Sequence, residues 1–312
     1  MGSTIAEIAT LRDSADVLDD HEELNRRWNA DGYLFLRGVL DTDAVERLRR
    51  AYMNCLHEQG LVTSVDGESV WTGEPVKGSR AIEYEDLGEA WRALANDPGT
   101  ERTLRVVLGE SPSWLPIVSY RAALPSESTP DDPFVARHQD GFYNPGLDLR
   151  ICWIPLMPIP ADLGGLAVAE AHHSGVLHDG KSQAIPAEKV AEESWRRIDY
   201  LPGDILIFNK FTPHSGLANT SDRIRLSIDI RVLNTAAPKP VVGAVESIDD
   251  SSVTIHDEDG ADVTLAIDDS TYIRGLGAVQ SRSARAHFTT GDRVLAATDA
   301  GRTRAVLVRT AT

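Results

Sequence analysis

The chain has 312 residues, 42% of them hydrophobic, enough to bury one large core and leave material for a small second domain. Its formal charge of −17 disfavours nucleic acid and anionic membranes as partners, since such affinity comes from Lys and Arg neutralising phosphates; a small-molecule substrate is expected instead. The two cysteines, Cys55 and Cys152, are too few for a disulfide framework, and no apolar run approaches the ~20 residues that cross a bilayer, which together suit a cytoplasmic protein with buried thiols.

The first element is a short apolar run bounded by glycine, Gly32–Leu40, which reads as a buried strand. A helix follows from Asp41, where a capping Asp-Thr pair precedes Val45, Leu48, Tyr52 and Leu56 at helical spacing. The polar tracts Glu68–Ile82 and Ser126–Pro133 are candidate lids over a substrate pocket. From Trp114 onward the pattern becomes short β-rich segments separated by Pro, Gly and Asp: Trp114–Arg121, Leu149–Leu156, Gly165–Ala169, Asp204–Phe208 and Ile224–Val232. Many short strands without intervening helices predict a sandwich or barrel, here a jelly-roll (double-stranded β-helix) core with flanking N-terminal helices over residues 1–235.

The Pro-containing stretch from Asn234 marks a linker, and residues 241–312 alternate apolar and polar positions in five short segments typical of a small β-barrel module. That module carries 7 basic and 11 acidic residues and has only Tyr272 and Phe288 as aromatics. A nucleic-acid barrel needs the opposite sign and a stacking platform, so packing or homo-oligomerisation is the expected role.

The chemistry concentrates in Arg137-His-Gln-Asp-Gly. On an extended chain residues i and i+2 share a face, so His138 and Asp140 can address one metal ion. A second imidazole, His214, stands just past a turn and a buried strand. Two His and one carboxylate on one side of a metal leave its other side open, the facial arrangement of non-haem Fe(II) oxygenases; a bidentate keto acid and O₂ fit the open positions. In Asp222-Arg-Ile-Arg-Leu-Ser-Ile-Asp-Ile-Arg, strand alternation puts Arg223, Arg225, Ser227 and Asp229 on one face and Ile224, Leu226 and Ile228 on the other. An inward Arg225 in an apolar barrel needs an anion, and its planar fork fits a carboxylate; the bland alternatives are an edge-strand arginine in water or a pair with Asp229. The histidines His172, His173 and His178 lack the spacing of a second metal site and read as loop residues, with His172 or His173 open to substrate contact. Tyr120, Arg121, Phe142 and Tyr143 flank the expected site.

Together these motifs make the chain resemble the phytanoyl-CoA dioxygenase family of Fe(II)/2-oxoglutarate oxygenases. The resemblance spans Leu24 to Val232, from Trp28-Asn-Ala-Asp-Gly-Tyr through His138-Gln-Asp, Trp153, Gly164-Gly-Leu, Pro202-Gly-Asp and His214 to Arg225. It implies that His138, Asp140 and His214 hold Fe(II), that Arg225 binds the distal carboxylate of 2-oxoglutarate, and that Gln139 and Trp153 line the co-substrate pocket. It also implies oxidation of a small metabolite, a biosynthetic intermediate, by hydroxylation, desaturation, cyclisation or epimerisation, with release of succinate and CO₂. Asp140 disfavours halogenation, for which the carboxylate is replaced by Gly or Ala. The chain departs from the family in Ala169-Glu-Ala-His172-His173, and in Gly216, which stands where a Ser often helps hold the co-substrate; Ser215 is beside it. The rival reading is a cupin-type metal-dependent dioxygenase or isomerase that uses no keto acid.

Overall fold

Capping chemistry fixes the helices that lead into the barrel. The protein was studied as a computed structural model, which describes residues 7–74, 87, 90–125, 134–180, 182–234, 237–269, 271–275, 289–299 and 302–309. Helix α1 (His21–Asp31) starts where the Asp20 carboxylate accepts from the Glu23 amide and ends at Gly32, whose left-handed φ of +79° comes with His173 packed so close that a Cβ would meet its ring. Helix α2 (Thr42–Glu58) is capped by Asp41, which accepts from Ala44 N at 2.7 Å, and buries Val45, Leu48, Tyr52, Met53 and Leu56. Two further helices, α3 (Trp91–Ala95) and α4 (Pro98–Leu108), come before the main strands; α4 has Asp97 as its cap, Pro98 in its first turn and Gly109 as its left-handed end.

The chain divides into two compact units, residues 1–142 with 149–235, and residues 143–148 with 236–312. In the first unit the short strand β1 (Ala9–Thr10) is followed by β2 (Tyr33–Leu36), β3 (Trp114–Ala123), β4 (Leu149–Pro155), β5 (Gly165–Ala169), β6 (Trp195–Arg197), β7 (Ile205–Asn209), β8 (His214–Leu217) and β9 (Arg225–Leu233). They form two sheets, ordered β2-β7-β4-β9-β3 and β1-β6-β5-β8, the two layers of a mainly β jelly roll. The five expected strands occur within two residues of their expected ends, whereas β6, β8 and β1 are additional. Strand β9 lies between β4 and β3 and all nine of its residues are buried, so it is an interior strand and its arginines are not edge residues in water.

Segment Glu68–Glu74 of the first expected lid is pinned to the barrel: Val70 bridges Arg223, and the Ser69 hydroxyl donates to Ile224 O at 2.6 Å. Residues 75–82 and 126–133 of the two expected lids lie outside the described residues. Both cysteines are buried free thiols. Among the described residues no helix is long and apolar enough to cross a membrane.

The second unit is a small β-barrel module that has, among the described residues, one strand more than the sequence pattern suggests. Strands β10 (Val241–Ile248), β11 (Ser252–Asp257), β12 (Asp262–Ala266), β13 (Tyr272–Gly275), β14 (Arg293–Asp299) and β15 (Arg302–Arg309) are ordered β12-β11-β10-β14-β15-β13 around Val245, Val253, Ile255, Ile273, Val294 and Val306. The extra strand β13 pairs in parallel with β15.

Gly164, before β5, adopts φ +75°, and a Cβ there would press on the carbonyl oxygens of Leu217 and Ala218. Gly164→Ala adds left-handed strain and a backbone clash, each of order 1–3 kcal/mol. All six tryptophans precede residue 235, so urea unfolding followed by tryptophan fluorescence reads the first unit, and it should show a loss of about 2–6 kcal/mol.

Candidate metal centre

The two sheets enclose a cavity of about 440 Å³ whose walls include His138, Asp140, Ile151, Trp153, Phe208, His214, Arg225 and Asp229. The segment carrying His138 is extended without being a regular strand. It runs beside β8, bridged by His138 N to His214 O at 3.0 Å and His214 N to His138 O at 2.9 Å. Asp140 opens the short 3₁₀ turn Asp140–Phe142 that comes next, so the His-x-Asp pair spans a strand-like bridge and a turn, where one continuous strand was expected. The two side chains nonetheless converge.

Backbone carbonyls fix both imidazoles in the same tautomer. His138 Nδ1 lies 3.1 Å from Ala136 O and His214 Nδ1 lies 3.0 Å from Thr212 O. A carbonyl oxygen only accepts, so each Nδ1 carries a proton, and Nε2 is the nitrogen that can ligate in the neutral ring. Both Nε2 atoms aim at the Asp140 Oδ1 side, at 3.7 Å from His138 and 3.6 Å from His214. The three ligand atoms lie within 4.8 Å of one another, and among the described residues no other group of three His, Cys, Asp or Glu side chains meets that condition. Two imidazole nitrogens and one carboxylate oxygen, buried together, are a donor set that fits a divalent transition metal. Burial, aided by the neighbouring His214, pushes His138 down to about 3, so its ring is neutral at pH 7 and ready to ligate. Burial opposes ionisation of Asp140, but Arg231, His214 and His138 outweigh it and hold the carboxyl well below its usual range.

Arg225 stands on the same cavity, 7% exposed. Its Nη1 donates to Gly165 O at 2.7 Å, while its Nε is buried with no partner. Burial pushes its pKa down to about 10, with the charge of Arg121 next in effect, and it stays protonated at pH 7. Asp229 attracts it from a distance but is not its ion-pair partner: that carboxylate accepts from Arg121 Nε at 2.8 Å. Arg225 is thus a buried cation without a carboxylate partner among the described residues, which fits the far end of a dicarboxylate.

Other expected residues fall elsewhere. Trp153 lines the cavity and packs against the Tyr200 ring at 4.6 Å. Gln139 alternates to the other side of its segment, where its amide donates to the carbonyls of Gly175 and Phe211 and accepts from Leu177 N; it staples a loop and does not line the cavity. Ser215 likewise faces away, accepting from Ala136 N at 3.2 Å, and it is Gly216 that faces the cavity, 3.9 Å from Arg225 Nη2 once a Cβ is placed on it. Arg223 precedes β9 and pairs with Asp162 and Glu68 away from the cavity, because regular alternation begins only at Arg225. Tyr120 and Arg121 line the cavity; Phe142 packs edge-on against His178, and Tyr143 groups with the second unit. His172 Nδ1 bonds Glu170 O, and His173 is packed on Gly32. Arg231, which closes the Asp222–Arg231 segment but carries no role expected from the sequence, donates through Nη2 to Asp140 Oδ2 at 3.0 Å; carrying the alternation of β9 two positions past Asp229 places it on the inward face.

Comparison with known proteins agrees with this geometry. The family model described as phytanoyl-CoA dioxygenase matches residues 28–227. Two curated relatives, the 1-deoxypentalenic acid 11-beta-hydroxylases of Streptomyces exfoliatus and Streptomyces arenae, are each 30% identical over 72% of this chain and 86% of their own length. The chain belongs to the phytanoyl-CoA dioxygenase family, and is an enzyme of that family. Among solved structures, the epimerase SnoN in complex with Fe3+, alpha ketoglutarate and nogalamycin RO aligns with a TM-score of 0.52 at 23% identity, covering 69% of this chain and 84% of that one. EctD from S. alaskensis aligns with a TM-score of 0.51 at 17% identity, covering 76% and 84%. These two likenesses are likenesses of fold.

His214→Ala removes one of three ligand atoms and should weaken Mn(II) binding by more than the ~10–100-fold that follows loss of an outer partner of a metal ligand. Calorimetric titration of both proteins with Mn(II) checks this.

Proposed function

We propose that the chain is an Fe(II)- and 2-oxoglutarate-dependent dioxygenase that hydroxylates a C–H bond of a small, largely apolar biosynthetic intermediate, with succinate and CO₂ as co-products. The observation that carries the reading is one cavity bearing both a His/Asp/His donor set and a buried arginine that, among the described residues, lacks a carboxylate partner. His138, Asp140 and His214 would hold Fe(II), and Arg225 the distal carboxylate of 2-oxoglutarate. Bound there, the metal and the keto acid supply oxygen activation coupled to decarboxylation of the keto acid.

The chain's own residues do the positioning. The carbonyls of Ala136 and Thr212 hold the two imidazoles with Nε2 free. Phe208 packs on the His214 ring at 4.7 Å, and with Ile151, Trp153 and Leu166 it gives that side of the cavity an apolar wall. The apolar remainder of the lining, Leu124, Val135 and Leu217 among it, suits a hydrocarbon skeleton, and a cavity of about 440 Å³ is of small-molecule size. Hydroxylation is favoured over the other outcomes by the two relatives, which are hydroxylases of 1-deoxypentalenic acid. The presence of the Asp140 carboxylate leaves no vacant ligand position for a halide.

Anaerobic titration with Fe(II) and then 2-oxoglutarate tests the reading through the weak visible charge-transfer band of a chelated keto acid. Wild type should develop the band. Arg225→Ala should still bind Fe(II) but need roughly 100-fold more 2-oxoglutarate, since truncating one partner of a buried charge pair costs about 2–5 kcal/mol. Bound iron without any band in wild type would contradict the proposal and favour a cupin-type enzyme that uses no keto acid.

A further inference from the structure

We propose that Arg231 is a positioning residue of the metal centre, which holds Asp140 Oδ2 and so reserves Oδ1 alone for the metal. The inference rests on the reading of His138, Asp140 and His214 as metal ligands, and assigns a role to a residue outside that set.

The two oxygens of Asp140 have different neighbours. Oδ1 faces the imidazoles, 3.7 and 3.6 Å from their Nε2 atoms, whereas Oδ2 accepts from Arg231 Nη2 at 3.0 Å. Arg231 is itself only 5% exposed and is anchored from behind. Its Nη1 reaches Ile117 O at 3.4 Å, Ser119 Oγ at 3.3 Å and Asp229 O at 3.1 Å.

Those anchors come from an irregularity in β3. Opposite Arg231 and Asp229, two residues apart on β9, stand Leu115 and Ser119, four residues apart on β3. The extra residues interrupt the ladder, as a bulge does, and Pro116 has no amide hydrogen to contribute to it. The Ile117 carbonyl is thereby released from strand pairing to meet the guanidinium. Bulges re-aim groups in this way beside functional sites.

A guanidinium suits the task because its rigid fork serves two directions at once, the β3 anchors through Nη1 and the carboxylate through Nη2. A lysine ammonium is a single point and cannot span both. With Oδ2 released, the Asp140 carboxylate could rotate or turn both oxygens toward one ion, and the ligand geometry would no longer be single-valued. Outer partners of metal ligands act in this manner, and their loss typically costs ~10–100-fold in metal affinity.

The test uses the full chain, Co(II) as probe, and two variants, Arg231→Gln and Arg231→Lys, with folding monitored by near-ultraviolet circular dichroism. Both variants are expected to bind Co(II) at least ~10-fold more weakly than wild type, and their visible Co(II) bands should differ from those of wild type. If Arg231→Gln does not fold, Arg231→Lys, which keeps the charge and loses the fork, carries the same expectation. Wild-type affinity together with wild-type bands in a folded variant would overturn the proposal and leave Arg231 as a packing residue between β3 and β9. If wild type binds no Co(II), or binds it equally after His214→Ala, the ligand assignment itself fails and this inference falls with it; those outcomes are separate from loss of the Arg231 effect alone.

Discussion

Two guanidinium groups six residues apart on one buried strand set the terms for the rest of this structure. A cation inside an apolar barrel is strongly destabilising unless an anion meets it. Arg231 is met by Asp140, a carboxylate of the chain. Arg225 donates to a single carbonyl and, among the described residues, has no carboxylate partner; the Nε of each arginine is buried without a partner, so the difference between the two lies in the carboxylate. The strand therefore presents one satisfied charge that shapes the ligand set, and one unsatisfied charge that calls for an anion from solution. Such a division separates a structural arginine from one that binds.

The surrounding elements follow from where β9 must sit. Because it lies between β4 and β3, its inward face looks toward the β5 and β8 sheet, and β8 begins with His214. Pairing of the 134–138 segment with β8 then brings His138 beside His214, with ring centroids 4.1 Å apart. Each distance in the site is thus a consequence of backbone register. Pre-organisation of this kind, in which ligands are held before metal or substrate arrives, is what positioning catalysis requires.

Much of the site was legible in the sequence because its chemistry follows the two-residue period of an extended chain. Arg225 and Asp229 share a side as strand alternation demands, and His138 and Asp140 converge as expected although a 3₁₀ turn begins at Asp140. The same period explains the misplacements. Gln139 and Ser215 are the odd members beside His138 and His214, so alternation turns them outward; Gly216 takes the inward position. Arg223 lies before regular pairing begins, and Arg231, the last residue of the Asp222–Arg231 segment, falls on the same face as Arg225 and Asp229 but stands two positions past the last residue assigned to that face. Strands β6 and β8, Trp-Arg-Arg and His-Ser-Gly-Leu, are too short and too polar to carry a pattern of their own and exist through pairing with β5. The sixth strand of the second unit is likewise made by a parallel partner some thirty residues away. Helix α4, by contrast, carries a capping Asp, a first-turn Pro and a terminal Gly in its sequence, and needed only those signals to be joined.

The central claim is that one cavity holds a metal at its His/Asp/His end and a dicarboxylate at Arg225. A crystal structure of the chain with Mn(II) and N-oxalylglycine, an unreactive analogue of 2-oxoglutarate, tests it most directly. The account predicts Mn(II) bound by His138 Nε2, Asp140 Oδ1 and His214 Nε2, with the distal carboxylate of the analogue on the Arg225 guanidinium. Metal bound elsewhere, or a distal carboxylate seated on Arg121 with Arg225 untouched, would contradict it.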